Sequence, residues 1–289
     1  MSPLFVPRVS VAMITENKAL RSNSRRVRLT ARSADRFKLY EQAVQDVEAD
    51  VQFLDRTFRK TRGRPPLSLR EDFCGTAQLC SCWVKSHRER TAIGVDLDGG
   101  TLAWARQHNL GPLGSRSHYV SLVQDDVRRV RRPKVDILCA FNFSYFIFTE
   151  RRDMLAYFRT ARQSLAQDGL FVLDLYGGPD AQSVGKESTS LGRFTYVWDQ
   201  ATFNPIDHQA TCHIHFRFRD GSSLRRAFSY HWRLWSLPEI QDLLREAGFT
   251  TIDVYWEGTD GRGGGNGIFR KTRRTENCDA WIAYVVASC

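Results

Sequence analysis

No apolar run comes near the ~18 charge-free residues of a membrane-spanning helix, so no membrane partner is expected. No apolar core of roughly 7–15 residues follows the N-terminal positive charges, which excludes a secretory signal. The seven cysteines (Cys74, Cys80, Cys82, Cys139, Cys212, Cys278 and Cys289) have no paired metal-ligand spacing. The one close pair, Cys80-Ser81-Cys82, is too tight for a zinc knuckle, and no metal site is expected. An odd count scattered through apolar surroundings points to reduced, buried thiols and a cytoplasmic setting. There is no internal repeat and no coiled coil. Acidic residues are scarce at the start: residues 1–34 carry seven Lys or Arg and one acid. The remaining chain holds 35 basic and 31 acidic residues, so most of the net charge of +10 lies in that arm. Residues 1–34 are expected to be disordered. They suit a solvated tail, an Arg- and Ser-rich organelle transit peptide or an arm for an anionic partner. Residues 35–289 are expected to form a single domain.

What is there alternates. A leading helix is predicted over 36–62, with Phe37, Tyr40, Val44, Val47, Val51, Leu54 and Phe58 at spacings of three and four. Gly63 and Pro65-Pro66 end it. Strands are then predicted at Leu67–Phe73, Ala92–Val95, Val120–Val123, Val135–Phe141 and Leu170–Leu175. Helices are predicted between them at Ala77–His87, Gly100–His108 and Arg151–Ala166. This alternation means βαβ units: an α/β fold with a doubly wound, mostly parallel, Rossmann-like sheet and helices on both faces. "GGPD" at Gly177–Asp180 breaks the chain, and a flexible stretch is expected to Gly192. An antiparallel insertion follows over 193–235, with a hairpin turn at Asp220-Gly221. In it Cys212, Ile214, Phe216 and Phe218 face one way, and His213 and His215 the other. A helix over Pro238–Ala247, a strand over Thr251–Tyr255, a Gly-rich loop at 261–267 and a last strand over Ala280–Ala287 complete the chain.

One stretch raises a question of chemistry. "REDFCGTAQLC", Arg70 to Cys80, ends the first strand, where open α/β sheets bind ligands. A nucleotide loop there is normally glycine-rich; this one has Gly75 alone. Glu71 and Asp72 stand before the turn, where they would repel a pyrophosphate and favour a cationic ligand such as S-adenosylmethionine. "AIGVDLD" ends the second strand with Asp96, suited to ribose hydroxyls. "SLVQDDV" ends the third with Asp125-Asp126, suited to an adenine amino group.

The series "LREDFCGTA", "AIGVDLD", "VQDDV", "VDILCAFNFSYF" and "GLFVLDLYGG" resembles the class I S-adenosylmethionine-dependent methyltransferase superfamily, from about Tyr40 to the C-terminus. More narrowly it resembles a bacterial-type group carrying "REDFCGTA", "FNFSYFIF", "YVWDQATFNPI" and "VYWEGTD"; that likeness brings no substrate with it. Matching Cys74-Gly75-Thr76 to the superfamily's common Cys-Gly-Thr puts Phe73 and Ala77 at the first and third of its three glycines.

The resemblance implies a transferase with S-adenosyl-L-methionine as cofactor. It implies that Glu71 and the Cys74, Gly75, Thr76 and Ala77 backbone hold the methionine portion, and that Asp96 takes the ribose. It implies further that Leu97 lies against the adenine, that Asp126 and the Val127 backbone meet its edge, and that Asn142 receives the methionine amino group. Tyr40, on the leading helix, is expected to be a lid contact. "NFSY" at Asn142–Tyr145 stands where amino-group methyltransferases of nucleic acid carry Asn/Asp-Pro-Pro-Tyr, but both prolines are missing. Tyr145, His213, His215 and His231 are candidate catalytic groups. The expected reaction is in-line methyl transfer to a small-molecule N, O or S acceptor under the 193–235 cover. The alternatives are an RNA or protein methyltransferase gripping its partner with the arm and "RRVRRPK" (Arg128–Lys134), or a non-catalytic cofactor-binding partner subunit. Nucleic acid is not favoured, and "YHWRLW" suits sheet packing or a homodimer surface.

Overall fold

A computed structural model describes residues 29–260 and 264–289. Most of the basic arm, and residues 261–263 of the Gly-rich loop, lie outside the described residues.

The leading helical pattern divides into two helices, α1 (Arg36–Val44) and α2 (Val47–Arg62). Gln45 is extended, and the Asp46 side chain accepts from the Ala49 N–H, so a new cap starts where one continuous helix was expected. An aspartate that can satisfy free N–H groups at a helix start favours a restart over continuation. Then follow β1 (Ser68–Asp72), α3 (Gln78–Ser86), β2 (Thr91–Asp96), α4 (Gly99–Ala105), β3 (Val120–Gln124), β4 (Val135–Ala140), α5 (Arg151–Ser164) and β5 (Leu165–Gly177). The central strands β4 and β5 are nearly continuous in burial, as a sheet covered on both faces requires, while the edge strand β3 is only partly buried.

After β5 the chain builds a separate four-stranded antiparallel sheet, ordered β6 (Gly185–Ser190), β7 (Phe194–Phe203), β8 (Gln209–Phe218) and β9 (Ser223–Arg233). The stretch expected to be flexible thus contains a strand, β6, which pairs with β7 from Gly185↔Gln200 to Ser190↔Thr195. Its sequence, Gly-Lys-Glu-Ser-Thr-Ser, has no apolar alternation, and only pairing with β7 identifies it. α6 (Leu237–Glu246), β10 (Thr251–Thr259), β11 (Gly265–Thr272) and β12 (Trp281–Ser288) complete the chain. β11 begins inside the expected Gly-rich loop.

The large sheet has the order β11-β10-β12-β5-β4-β1-β2-β3. β3, β2, β1, β4 and β5 are parallel neighbours. β12 inserts between β5 and β10 and runs antiparallel to both. The strand order reverses between β1 and β4, so a crevice opens beyond their carboxyl ends. The inner face of the small sheet (Cys212, Ile214, Phe216, Trp232) shares one apolar core with β4, β5 and the 143–148 loop. Trp232 lies 6.4 Å from Phe143 and 6.1 Å from Phe146, ring to ring. Phe228 lies 5.0 Å from Tyr40 of α1. The small sheet is therefore seated over the β4 exit and the first helix.

Candidate functional site

The loop after β1 has lost two of the three glycines but keeps a left-handed backbone at all three positions. φ is +57° at Phe73, +51° at Gly75 and +53° at Ala77. For a residue with a Cβ this conformation costs about 1–2 kcal/mol, so Phe73 and Ala77 must be held by their surroundings. The Phe73 ring packs 5.7 Å from Tyr157 and 5.9 Å from Phe148. Ala77 is fully buried, and its carbonyl accepts from the Ser81 N–H. Behind the loop, Gly94 of β2 allows close approach: a Cβ there would lie 2.8 Å from Cys74 Sγ. In front, a Cβ on Gly75 would meet nothing within 4 Å. The loop is clamped on its inner side and open on its outer side.

The two acids before the turn do not face that opening. Glu71 is buried, and its Oε2 accepts from the Cys80 N–H at 3.3 Å and from Cys80 Sγ at 3.1 Å. α3 has no side-chain cap of its own at Ala77, so Glu71 supplies an acceptor to its first turn. Burial pushes the Glu71 carboxyl up to about 8, against the lowering effect of those two hydrogen bonds. Asp72 is held by the fully buried Arg70, with Nε to Oδ1 at 2.7 Å and Nη2 to Oδ2 at 3.1 Å, and by the Tyr157 hydroxyl. Arg70 also donates to the Val127 and Val130 carbonyls and to Ser164 Oγ. The expected repulsion of a pyrophosphate by these two acids therefore fails: both are turned inward, and the pair ties β1 to the β3 exit.

The acid that does stand at the mouth is Asp96. Its Oδ2 accepts from the Gly75 N–H at 2.8 Å and its Oδ1 from the Asp98 N–H at 2.9 Å. It is only partly buried, and each oxygen keeps a lone pair for a ligand hydroxyl. Beside it Leu97 is 62% exposed, an apolar ledge. Asp126 lies next along the crevice but is gripped by Arg128, with Nη2 to Oδ2 at 2.7 Å, which holds its carboxyl below the usual range. Arg128 also binds Asp153 at 2.9 Å, and Val130 packs against the core, so part of the basic "RRVRRPK" run is structural. Val127 is buried, its carbonyl occupied by Arg70. Thr76 is buried with its hydroxyl unpartnered.

At the β4 exit Asn142 and Phe143 are also left-handed, with φ +56° and +58°. A residue absent from the sequence-derived site explains how. Asp174 of β5, fully buried, accepts from the Asn142 N–H at 2.7 Å and the Phe143 N–H at 2.9 Å. An acid inside "GLFVLDLYGG" on an otherwise apolar strand was the available signal. Strained backbone at the ends of both β1 and β4 is the pattern of a ligand site.

A small cleft opens between α1, the β4 exit and the inner face of the second sheet. Tyr40, Val44, Asn142, Phe143, Ile214, Tyr230 and Trp232 line it. Tyr40 and Asn142 were singled out from sequence; Tyr230 and Trp232 were read as sheet packing or a homodimer surface. The Tyr40 and Tyr230 hydroxyls hydrogen-bond, and burial raises both phenol pKa values far above neutrality.

None of the candidate catalytic groups reaches this cleft. Tyr145 is fully buried and its hydroxyl donates to the Asp174 carbonyl at 2.8 Å. β8 and β9 alternate, so with Ile214, Tyr230 and Trp232 facing the cleft, His213, His215 and His231 face away. His213 meets Ser229 Oγ at 2.8 Å, His215 Nε2 meets Asp199 at 3.0 Å, and His231 meets Thr211 Oγ1 at 3.3 Å. Desolvation lowers the His213 pKa.

No protein-family model matches the chain, and no curated protein matches its sequence. Solved structures match its fold. An S-adenosylmethionine-dependent methyltransferase from Clostridium acetobutylicum superposes with TM-score 0.64 at 15% identity, covering 88% of this chain and 98% of that one. Streptomyces venezuelae DesVI gives TM-score 0.62 at 18% identity, covering 87% and 94%. A sugar N-methyltransferase from Streptoalloteichus sp. gives 0.59 at 17%, covering 96% and 98%. The fold is the Rossmann-like fold of class I S-adenosylmethionine-dependent methyltransferases, with a separate antiparallel sheet. Among the described residues no group of three His, Cys, Asp or Glu could hold a metal ion, and no helix is long and apolar enough to cross a membrane.

Proposed function

We propose that the protein is an S-adenosylmethionine-dependent methyltransferase acting on the amine of a small molecule. The observation that carries this is the left-handed backbone at Phe73, Gly75 and Ala77, a glycine-loop path maintained without two of its glycines. The residues fit the cofactor. Asp96 has lone pairs for ribose hydroxyls, Leu97 offers a ledge for adenine, and the open side of Gly75 admits the methionine portion. Asn142 stands at the cleft where that portion would end.

When bound, the cofactor supplies a methyl group already activated by its sulfonium. The chain's own work is to align a nucleophile, exclude water and manage a proton. Tyr40 and Tyr230 keep their protons at neutral pH, so they position by hydrogen bonding and do not act as bases. Among the described residues no carboxylate or imidazole lines the cleft. An alcohol would need such a base; a neutral amine attacks with its lone pair and sheds its proton to solvent afterwards. Amine transfer also agrees with the N-methyltransferases among the fold's neighbours. The size of the cleft and its cover favour a small molecule over RNA or protein.

The test is transfer of labelled methyl to matched panels of small amines and alcohols, with titration of S-adenosylhomocysteine alongside. Transfer confined to amines supports the proposal. Transfer to hydroxyl-only acceptors, or no cofactor binding by folded protein, overturns it.

A further inference from the structure

Behind the cleft lies a second pocket, between the turn at Pro179–Gln182 and the β6–β7 pair. Glu187 of β6 lines it, opposite Trp198 of β7. Glu187 retains 9% of its surface, yet both carboxylate oxygens are buried without a hydrogen-bond partner. Asp180 lines the same pocket with a buried, unpartnered Oδ2. Of the two other polar side chains lining it, Gln200 uses one amide N–H on the Ala181 carbonyl at 2.8 Å, and neither Gln200 nor Ser183 donates to Glu187. Burial pushes Glu187 up to about 7, with Asp180 adding to the rise.

A buried carboxylate without a partner is costly. Among the described residues the Glu187 side chain ties no strand, caps no helix and forms no ion pair, so packing gives no reason for it. We infer that this pocket is a second subsite, which takes a cationic nitrogen of the acceptor other than the one methylated. This rests on the methyltransferase reading and names the acceptor class: a molecule with two amino groups. An organic ammonium fits better than a metal ion. The pocket offers two acidic side chains, among the described residues no group of three His, Cys, Asp or Glu could hold a metal ion, and one wall is the Trp198 ring, whose π face attracts organic cations. The same ring joins the two sites: its centroid lies 6.0 Å from Trp232 and 6.2 Å from Tyr230, which line the cleft. On the same inner face, Trp232 Nε1 and the Tyr196 hydroxyl are also buried and unpartnered, ready for polar atoms between the two nitrogens.

The experiment titrates the full chain, with and without S-adenosylhomocysteine, using α,ω-diaminoalkanes from diaminopropane to diaminooctane and the matching amino alcohols. Wild type is compared with Glu187→Gln. The diamine of best length should bind about tenfold more tightly than its amino alcohol. Glu187→Gln should remove that advantage, leave S-adenosylhomocysteine affinity unchanged and not lower the melting temperature. Equal affinity for diamines and amino alcohols, or unchanged diamine binding in the variant, overturns the inference. So does a fall of several degrees in the variant's melting temperature, which would give Glu187 a structural partner. Loss of S-adenosylhomocysteine binding by wild type would instead strike the methyltransferase reading, and the diamine comparison without it would still decide the subsite.

Discussion

The Gly75 N–H donates to Asp96 Oδ2 at 2.8 Å, so the carboxylate at the end of β2 holds the turn at the end of β1. One side chain thus shapes the loop and stands at the mouth where the cofactor is proposed to bind. Asp96→Ala should weaken S-adenosylhomocysteine binding by about tenfold or more, roughly 1.4 kcal/mol, with a smaller loss of stability. Asp96→Asn retains an acceptor for Gly75 and should fall between. Calorimetric titration beside thermal melts separates the two effects; equal affinity in all three proteins would remove Asp96 from the cofactor site.

Gly75→Ala isolates backbone strain, because nothing stands within 4 Å of the new methyl. The left-handed φ should cost about 1–2 kcal/mol, read as a lowered denaturation midpoint in urea. Cofactor affinity should fall further, since that methyl occupies the side from which the ligand approaches.

Arg70 and Asp72 are both fully enclosed, with side-chain exposures of 1% and 0%. Removing one partner leaves a buried charge. Asp72→Ala should destabilise by about 3–5 kcal/mol, while Arg70→Met with Asp72→Leu should recover much of that. Urea unfolding of the single and double variants checks the coupling.

Glu71 gives a pH dependence with a definite sign. Its folded pKa is raised, to about 8 from 4.5. The native state therefore holds the proton more tightly, and the resulting stabilisation is complete below the unfolded value. It is lost as pH rises from about 4.5 towards 8, at up to about 1.4 kcal/mol per pH unit. Glu71→Gln keeps an acceptor for Cys80 and removes the titration. The stability of wild type relative to this variant should fall across that window; a flat difference would mean that Glu71 is not buried as described.

The three cover-sheet histidines should be dispensable for chemistry. His213→Gln, His215→Gln and His231→Gln should each keep methyl transfer within about twofold, since their side chains face away from the cleft. Tyr230→Phe, which breaks the Tyr40–Tyr230 pair, should lower kcat more than any of them. Steady-state rates on one amine acceptor settle the order.

Much of the frame is written locally. Short apolar runs locate β1 to β5 and the period-3.6 pattern the helices between them, because strands covered on both faces are apolar throughout and each helix buries a face that its own spacing defines. The acids at 96 and 126 are visible as strand ends, and the Asp220-Gly221 turn marks its hairpin. The remainder depends on contacts between segments far apart in the chain. β6 has no apolar signature and exists through β7; β12 reaches its place between β5 and β10 by pairing across more than a hundred residues of chain. Acidic residues alone do not tell which way a carboxylate points: Glu71 and Asp72 turn inward to α3 and Arg70, while Asp96 faces the crevice. A phenylalanine and an alanine do not announce a left-handed backbone; Tyr157, Phe148 and the close approach at Gly94 impose it. The sequence supplied the strand ends where a ligand could bind. Packing alone decided which side chains face it, because that depends on the opposite wall each one meets.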